Sequence, residues 1–388
     1  MSANSTYPRI AVVDIPGKGK GVVALEPIPR GTRIISEKPR IRVPCYEDPL
    51  RRRVPDLGTL SESDLAFFMS FPCDEGLDPV MGRLRHVIPC AGSDDEAFGL
   101  FETVCRFNHT CYSPLDRPNA LYTWVEERKE EIVHATEDIA ENEEITVAYI
   151  QAKTHTEDPK ALLVQHWGFQ CQCAGCQRPR PERRTSLRRI KSYRQYSDNL
   201  PMRMLPFSGE SPLRLLKDIE HNILSICAEG YVWEIGTCAH DAFQLCAFHG
   251  DGASAARWEV MAREVHRVIH GTDGYQYKKS ADLVAKPSTF REWAALGTAK
   301  KFRGPSDEVL VCFKNAVMSS NPPRCNHRDC PKKDLATEFK RCKPCIDKLG
   351  LEVNYCSVEC QTADWKAGHK SACGKAVKSV VLVSPLNV

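Results

Sequence analysis

Two stretches, Arg106-Phe107-Asn108-His109-Thr110-Cys111 and Cys171-Gln172-Cys173-Ala174-Gly175-Cys176, decide how the first half of this chain folds. The second offers three thiols at x and x2 spacing, one fewer than the four ligands of a tetrahedral zinc. Cys111, far upstream, is the candidate for the fourth. A site built that way closes a long segment of chain onto itself.

Composition makes zinc the natural reading of these thiols. The chain has 388 residues, 53 basic against 50 acidic, and 19 cysteines. That length suggests two or three domains. Residues 1–9 are polar, without the apolar core of a secretory signal, so a reducing compartment is expected, where thiols bind metal more often than they pair. No apolar run approaches the ~18 residues of a spanning helix, which excludes a membrane span. A net charge of +3 argues against nucleic acid as the main partner.

A second block is denser. Cys325-x4-Cys330, Cys342-x2-Cys345, Cys356-x3-Cys360 and His369-x3-Cys373 give eight soft ligands in four close pairs, enough for two zinc ions. Metal binding would supply the folding energy that so small a segment lacks in its core. With the upstream site, three ions are expected.

The residues around these ligands carry a resemblance. Tyr355-Cys356-Ser357, Cys360-Gln361, Asp364-Trp365 and His369-Lys370 resemble the signature of MYND fingers. The resemblance implies interleaved ligation: Cys325, Cys330, Cys356 and Cys360 on one ion, Cys342, Cys345, His369 and Cys373 on the other. It also implies a module that grips proline-rich peptides. A RING-type ligase finger also braces two zincs, but the short 356–373 segment fits it poorly.

Upstream, the Asn-His-Thr-Cys box and the Cys171–Cys173–Cys176 trio are similar to those of SET-domain lysine methyltransferases of the SET-and-MYND group. Gly17-Lys18-Gly19-Lys20-Gly21-Val22 resembles that family's cofactor loop. Glu143-Glu144-Ile145-Thr146-Val147-Ala148-Tyr149 resembles the strand ending in its catalytic tyrosine, and Trp167-Gly168-Phe169-Gln170-Cys171 its post-SET entry. The implied activity is methyl transfer from S-adenosylmethionine to a protein lysine, a histone being one candidate substrate. The implied cofactor contacts are Lys18, Gly19, Lys20, Asn108, His109, Tyr149 and Phe169. Tyr149 is the implied catalytic residue, and Cys111, Cys171, Cys173 and Cys176 are the implied ligands of the post-SET zinc. The implied fold is multidomain α+β: a mainly β SET domain with a pseudoknot and zinc clip, a helical domain, and a two-zinc finger.

Four departures from the family pattern stand out. Six residues, 112–117, separate Cys111 from Pro118-Asn119, where the family has one. Trp167 stands where better-known members carry a channel tyrosine, and its indole N–H donates but cannot accept. Asn142 replaces a glycine. The finger also ends the region instead of interrupting the SET segment.

Domain boundaries are expected at 9–176 for the SET region, with 45–100 as a variable insert, and 177–191 as a basic linker. Helices are expected over 192–318, a tetratricopeptide-like array being one form, and the finger over 325–373. Strands are expected at 21–24, 33–36 and 144–150, and a short helix at 62–70. Helical periodicity runs through Leu213, Leu216, Ile219, Ile223 and Ile226 and again through Trp258, Met261, Val265, Val268 and Ile269. Residues 178–191 hold seven bases against one acid, read as a solvated linker or a localisation or nucleic-acid patch. Residues 126–144 hold nine acids against two bases, read as a solvated face or as an attractor for a basic tail. His266 and His270 read as surface residues. Eight remaining cysteines (45, 73, 90, 105, 227, 238, 246 and 312) read as free thiols. The competing function is a catalytically weak or inactive SET/MYND adaptor in a transcriptional complex. Either would work in the nucleus, the cytoplasm or both.

Overall fold

The computed structural model describes residues 8–44, 57–73, 78–90, 97–113, 117–150, 159–205, 209–297, 301–317, 330, 340–344, 353–370 and 373. Its first half is built from short strands: β1 (Ile10–Ile15), β2 (Gly19–Ala24), β3 (Arg33–Glu37), β4 (Ile41–Pro44), β5 (Ile88–Pro89), β6 (Ala97–Leu100), β7 (Asn108–His109), β8 (Ala120–Val125), β9 (Glu130–Ala135) and β10 (Glu144–Val147). They form three small sheets, ordered β1-β2-β10-β7, β3-β9-β8 and β4-β6-β5. Apolar side chains of these strands and of the loops beside them turn to the interior. Val22, Ala24, Phe101, Phe107, Val133, Ile145 and Val147 pack there as one core.

β7 pairs in parallel with β10, Thr146 opposite Asn108 and Val147 opposite His109. The chain between them leaves to form the β8–β9 hairpin of another sheet and returns. Asn119 secures this return, its Nδ2 donating to Glu143 and to the Glu144 carbonyl, its Oδ1 accepting from Thr146 N at 2.8 Å. Two helices, α1 (Glu62–Met69) and α2 (Pro79–Arg83), lie in the insert. Phe68, Phe71, Leu84 and Leu100 form its small core.

Helices follow: α3 (Pro159–Trp167), α4 (Ala174–Gln177), α5 (Arg180–Arg203), α6 (Pro212–Ala228), α7 (Val232–Phe248), α8 (Gly252–His270), α9 (Tyr275–Ala285) and α10 (Asp307–Val317). From α5 to α9 each packs on the next in the chain. Their shared core includes Tyr193, Ile219, Ile235, Phe243 and Trp258. The finger shows β11 (Lys340–Arg341) paired with β12 (Asn354–Tyr355), then α11 (Val358–Asp364).

Several expectations need correction. Most of the basic segment expected as a linker over 177–191 is helix, since α5 starts at Arg180. Pro179 caps it and Pro181 lies in its first turn, where a missing N–H costs nothing. The 21–24 strand begins earlier, at Gly19, and the 144–150 strand ends earlier, at Val147. His266 and His270 are largely buried rather than surface residues, with His266 Nδ1 3.0 Å from Ser280 Oγ on α9. Cys227 and Cys312, expected as free thiols, form a disulfide between α6 and α10, whose packing brings their Cα atoms to 6.8 Å. The acidic 126–144 run is no uniform solvated face: Glu131 is fully buried, and Glu126, Glu137 and Glu144 pair with Lys129, Arg117 and Lys18. Cys45 lies outside the described residues.

Candidate functional site

The turn between β1 and β2 is built by glycine. Gly17 and Gly19 both take φ of +74°, which an L side chain rarely adopts. Gly21 has another reason. A Cβ there would stand 2.5 Å from Ile15 Cγ1 and 2.7 Å from Asn108 Nδ2. Its absence lets β7 approach the hairpin, so that Asn108 Nδ2 donates to the Lys20 carbonyl (3.2 Å) and to Glu144 Oε1 (2.8 Å). Lys18 Nζ reaches the other Glu144 oxygen at 2.6 Å, and Lys20 Nζ pairs with Asp14. Glu144 thus gathers Lys18 and Asn108. No motif in the sequence marked it for that work.

Beside this cluster the chain turns inward. The Tyr149 N–H donates to His109 Nδ1 at 3.0 Å. A backbone N–H only donates, so Nδ1 accepts and the neutral ring carries its proton on Nε2. Nε2 lies 3.0 Å from Cys111 Sγ and donates to it. The Tyr149 hydroxyl donates to the Phe107 carbonyl at 2.7 Å, and burial holds the phenol well above its ordinary pKa. Three rings close round the phenol: His109 at 5.2 Å between centroids, Trp167 at 5.4 Å and Phe169 edge-on at 6.3 Å. The substituted Trp167 therefore lies against Tyr149 as a wall.

Cys111, Cys171, Cys173 and Cys176 bring their sulfurs within 4.8 Å of one another. Cys111 lies 3.9 Å from Cys171 and 3.6 Å from Cys176. A zinc–sulfur bond of ~2.3 Å gives a tetrahedron edge of about 3.8 Å, so the four thiols fit one zinc. Cys173 caps α4, Cys176 lies within it, and α3 ends at Trp167, so that the clip and Tyr149 share one small cluster.

Six of the eight downstream ligands lie among the described residues and form two groups, Cys330 with Cys356 and Cys360, and Cys342 with His369 and Cys373. Sulfurs within a group approach to 3.4–3.6 Å. Cys325 and Cys345 lie outside the described residues.

The two ends of the 112–117 departure contact other parts of the chain. Tyr112 lies against Tyr231, which caps α7, with ring centroids 4.5 Å apart, and Arg117 pairs with Glu137 at 2.6 Å. Gly175 and Gly230 leave room for Ser113, which a Cβ at either would meet within 3 Å. Residues 114–116 lie outside the described residues. A cleft runs between the clip and the helices, lined by Tyr112, Ile150, Lys160, Arg183, Leu187 and Tyr231 among others. Asn142, in place of a glycine, takes φ of +65°, a conformation asparagine tolerates.

Comparison with known proteins agrees with this architecture. Residues 19–150 match the SET domain family and residues 323–373 the MYND finger family. Over 282 residues the chain is 32% identical to a Schizosaccharomyces pombe protein named histone-lysine N-methyltransferase set5, covering 71% of this chain and 83% of that one. Over 81 residues it is 33% identical to histone-lysine N-methyltransferase ASHR1 of Arabidopsis thaliana, which is 21% of this chain and 15% of that one. No helix among the described residues is long and apolar enough to cross a membrane.

Proposed function

Because this chain belongs to the SET-and-MYND family of lysine methyltransferases, we propose that it is an S-adenosylmethionine-dependent protein-lysine N-methyltransferase acting on histones. In this reading the finger recruits substrate or partner proteins through proline-rich segments, and three zinc ions hold the clip and the finger. The catalytic unit is the SET region with its clip, 9–176, and the helical domain now starts at Arg180. The protein would work in the nucleus or cytoplasm.

The observation that carries the reading is the seat of Tyr149. This residue is partly buried between the sheet core and the clip, its N–H and O–H both engaged, one strand away from a glycine turn. When bound, S-adenosylmethionine supplies a methyl group on a cationic sulfonium. The Lys18–Gly19–Lys20 backbone and the Asn108 amide would hold its polar end, where missing Cβ atoms allow close approach. Phe169 would cover it and His109 would border it. The Tyr149 hydroxyl would orient the attacking amine. The Trp167 and Phe169 rings exclude water, and a desolvated channel favours the neutral, nucleophilic lysine. Alignment in a dry site can supply much of such a barrier reduction.

Two assays on zinc-loaded protein test this. S-adenosylhomocysteine should raise the thermal midpoint of both wild type and Tyr149→Phe. Labelled methyl should pass to histones with wild type, and roughly 100-fold more slowly or worse with the variant. Absence of both stabilisation and transfer would leave the non-catalytic adaptor in place of the enzyme.

A further inference from the structure

The whole-chain charge of +3 conceals a local excess. Residues 178–191 contain seven bases and one acid, and the structure puts most of them on one rigid helix. At 100° per residue, Arg180, Arg184, Arg188 and Lys191 fall within a sector of about 80° on α5. The opposite side of α5 carries Ile190, Tyr193, Tyr196 and Leu200, all buried in the helical core. The stripe is therefore held outward by the packing of its own helix. It extends about 16 Å along the axis.

The neighbouring bases are neutralised and the stripe is not. Arg178 pairs with Glu182, Arg189 with Glu229 and Arg194 with Asp198. Among the described residues, Arg180, Arg184, Arg188 and Lys191 make no ion pair, and all four are exposed. Arg188 turns to its own helix, donating to the Arg184 carbonyl and Thr185. Four unpaired cations in one row repel each other, so a helix carrying them gains from a polyanion laid along it.

We propose that this face of α5 binds the phosphate backbone of duplex nucleic acid. Guanidinium forks match phosphate oxygens, and three of the four residues are arginine. The sector holds no exposed aromatic ring for stacking single-stranded bases. Between Arg180 and Lys191 it also lacks a large exposed apolar side chain of the kind that anchors protein–protein interfaces; Met202, on the same side of α5, lies about 16 Å farther along the axis. What is left is charge alone in a straight row, which suits a duplex backbone without sequence reading. The helix begins four residues beyond Cys176, so a duplex held there lies along the clip that supports Tyr149. Duplex binding by α5 requires no methyl transfer and can be tested apart from it.

The test is fluorescence anisotropy of the full-length zinc-loaded protein with a labelled duplex of roughly 30 base pairs, between about 50 and 200 mM salt. Contact with four phosphates predicts a slope of log affinity on log salt of about −3 to −4. The variant R180Q/R184Q/R188Q/K191Q keeps good helix formers and should lose at least about tenfold in affinity and most of that slope. A control of equal charge loss elsewhere, K278Q/K279Q/K286Q/K314Q, should bind within about twofold of wild type. Unchanged thermal midpoints establish that both variants fold. Equal affinity of wild type and stripe variant, or equal loss in the control, would overturn the proposal. So would stripe-dependent binding of a polyglutamate peptide without binding of the duplex, which would assign the surface to an acidic protein.

Discussion

His109 is occupied at both ring nitrogens, accepting from Tyr149 N and donating to Cys111 Sγ. One imidazole thereby ties a thiol of the proposed zinc clip to the position of the proposed catalytic phenol. Partners of this kind orient metal ligands, and their loss typically costs 10–100-fold in metal affinity or activity. His109→Ala should lower both zinc retention and the turnover number by roughly that factor, and His109→Gln should recover part of it. The checks are metal content after dialysis and steady-state rates. A loss confined to cofactor KM would show instead that the ring only borders the cofactor. Glu131 is a different case. It is fully buried on β9, neither carboxylate oxygen has a hydrogen-bond partner among the described residues, and burial pushes its pKa well above the usual range. With the folded value above the unfolded one, folding takes up a proton, and stability falls as pH rises between the two. Glu131→Met should therefore stabilise the protein near pH 7 by about 1–3 kcal/mol, with less gain near pH 5. Urea unfolding at the two pH values measures this, and a variant less stable at pH 7 would contradict it. The sequence named His109 through its motif. Glu131 was indistinguishable there from eight other acids in its run.

At the scale of the element, the β1–β2 hairpin and β7 meet only because Gly21 has no side chain. Gly21→Ala would press on Ile15 and part Asn108 from Glu144. Overpacking of this kind costs about 1–3 kcal/mol. The expected result is a lower unfolding midpoint, with affinity for S-adenosylhomocysteine falling more than Tyr149→Phe lowers it; calorimetric titration decides. Strand and helix identities were legible wherever alternation or a 3.6-residue period is set by local burial, as in β2, α1 and α6. The start of α5 was not, because Pro179 and Pro181 signal a break to a linear reading. Only the position of Pro181 in the first turn, where its missing N–H is unneeded, makes it compatible with helix.

At the scale of the molecule, the SET region and the helices are joined by charge as well as by packing. Asp273, between α8 and α9, receives Arg33 of β3 at 2.5 and 2.6 Å and Arg128 of the β8–β9 turn at 2.8 Å. Burial alone would raise its pKa, but the hydrogen bonds and charges of Arg33 and then Arg128 outweigh it and hold the carboxyl at about 2. A folded value below the unfolded one contributes stability that is present above the ordinary carboxylate range and is lost as pH falls toward 2. Asp273→Asn should thus cost about 2 kcal/mol near neutral pH, the gap to wild type closing as pH drops from about 5 to about 3. Chemical unfolding across that range tests it, and a gap independent of pH would show that the carboxylate charge is not what joins the two parts. The sequence by itself marked the candidate chemistry: which thiols are spaced for zinc, which glycines permit a turn, and which tyrosine follows the strand. These depend on a few neighbouring residues and on fixed ligand geometry, so they survive in one dimension. Only the tertiary structure decided what each group meets at long range. It chose Glu144 to gather Lys18 and Asn108, seated Tyr112 against Tyr231, left Glu131 without a partner among the described residues and turned a basic run into one exposed helical face. Those outcomes follow from packing between elements far apart in the chain, for which no local residue pattern carries a signal.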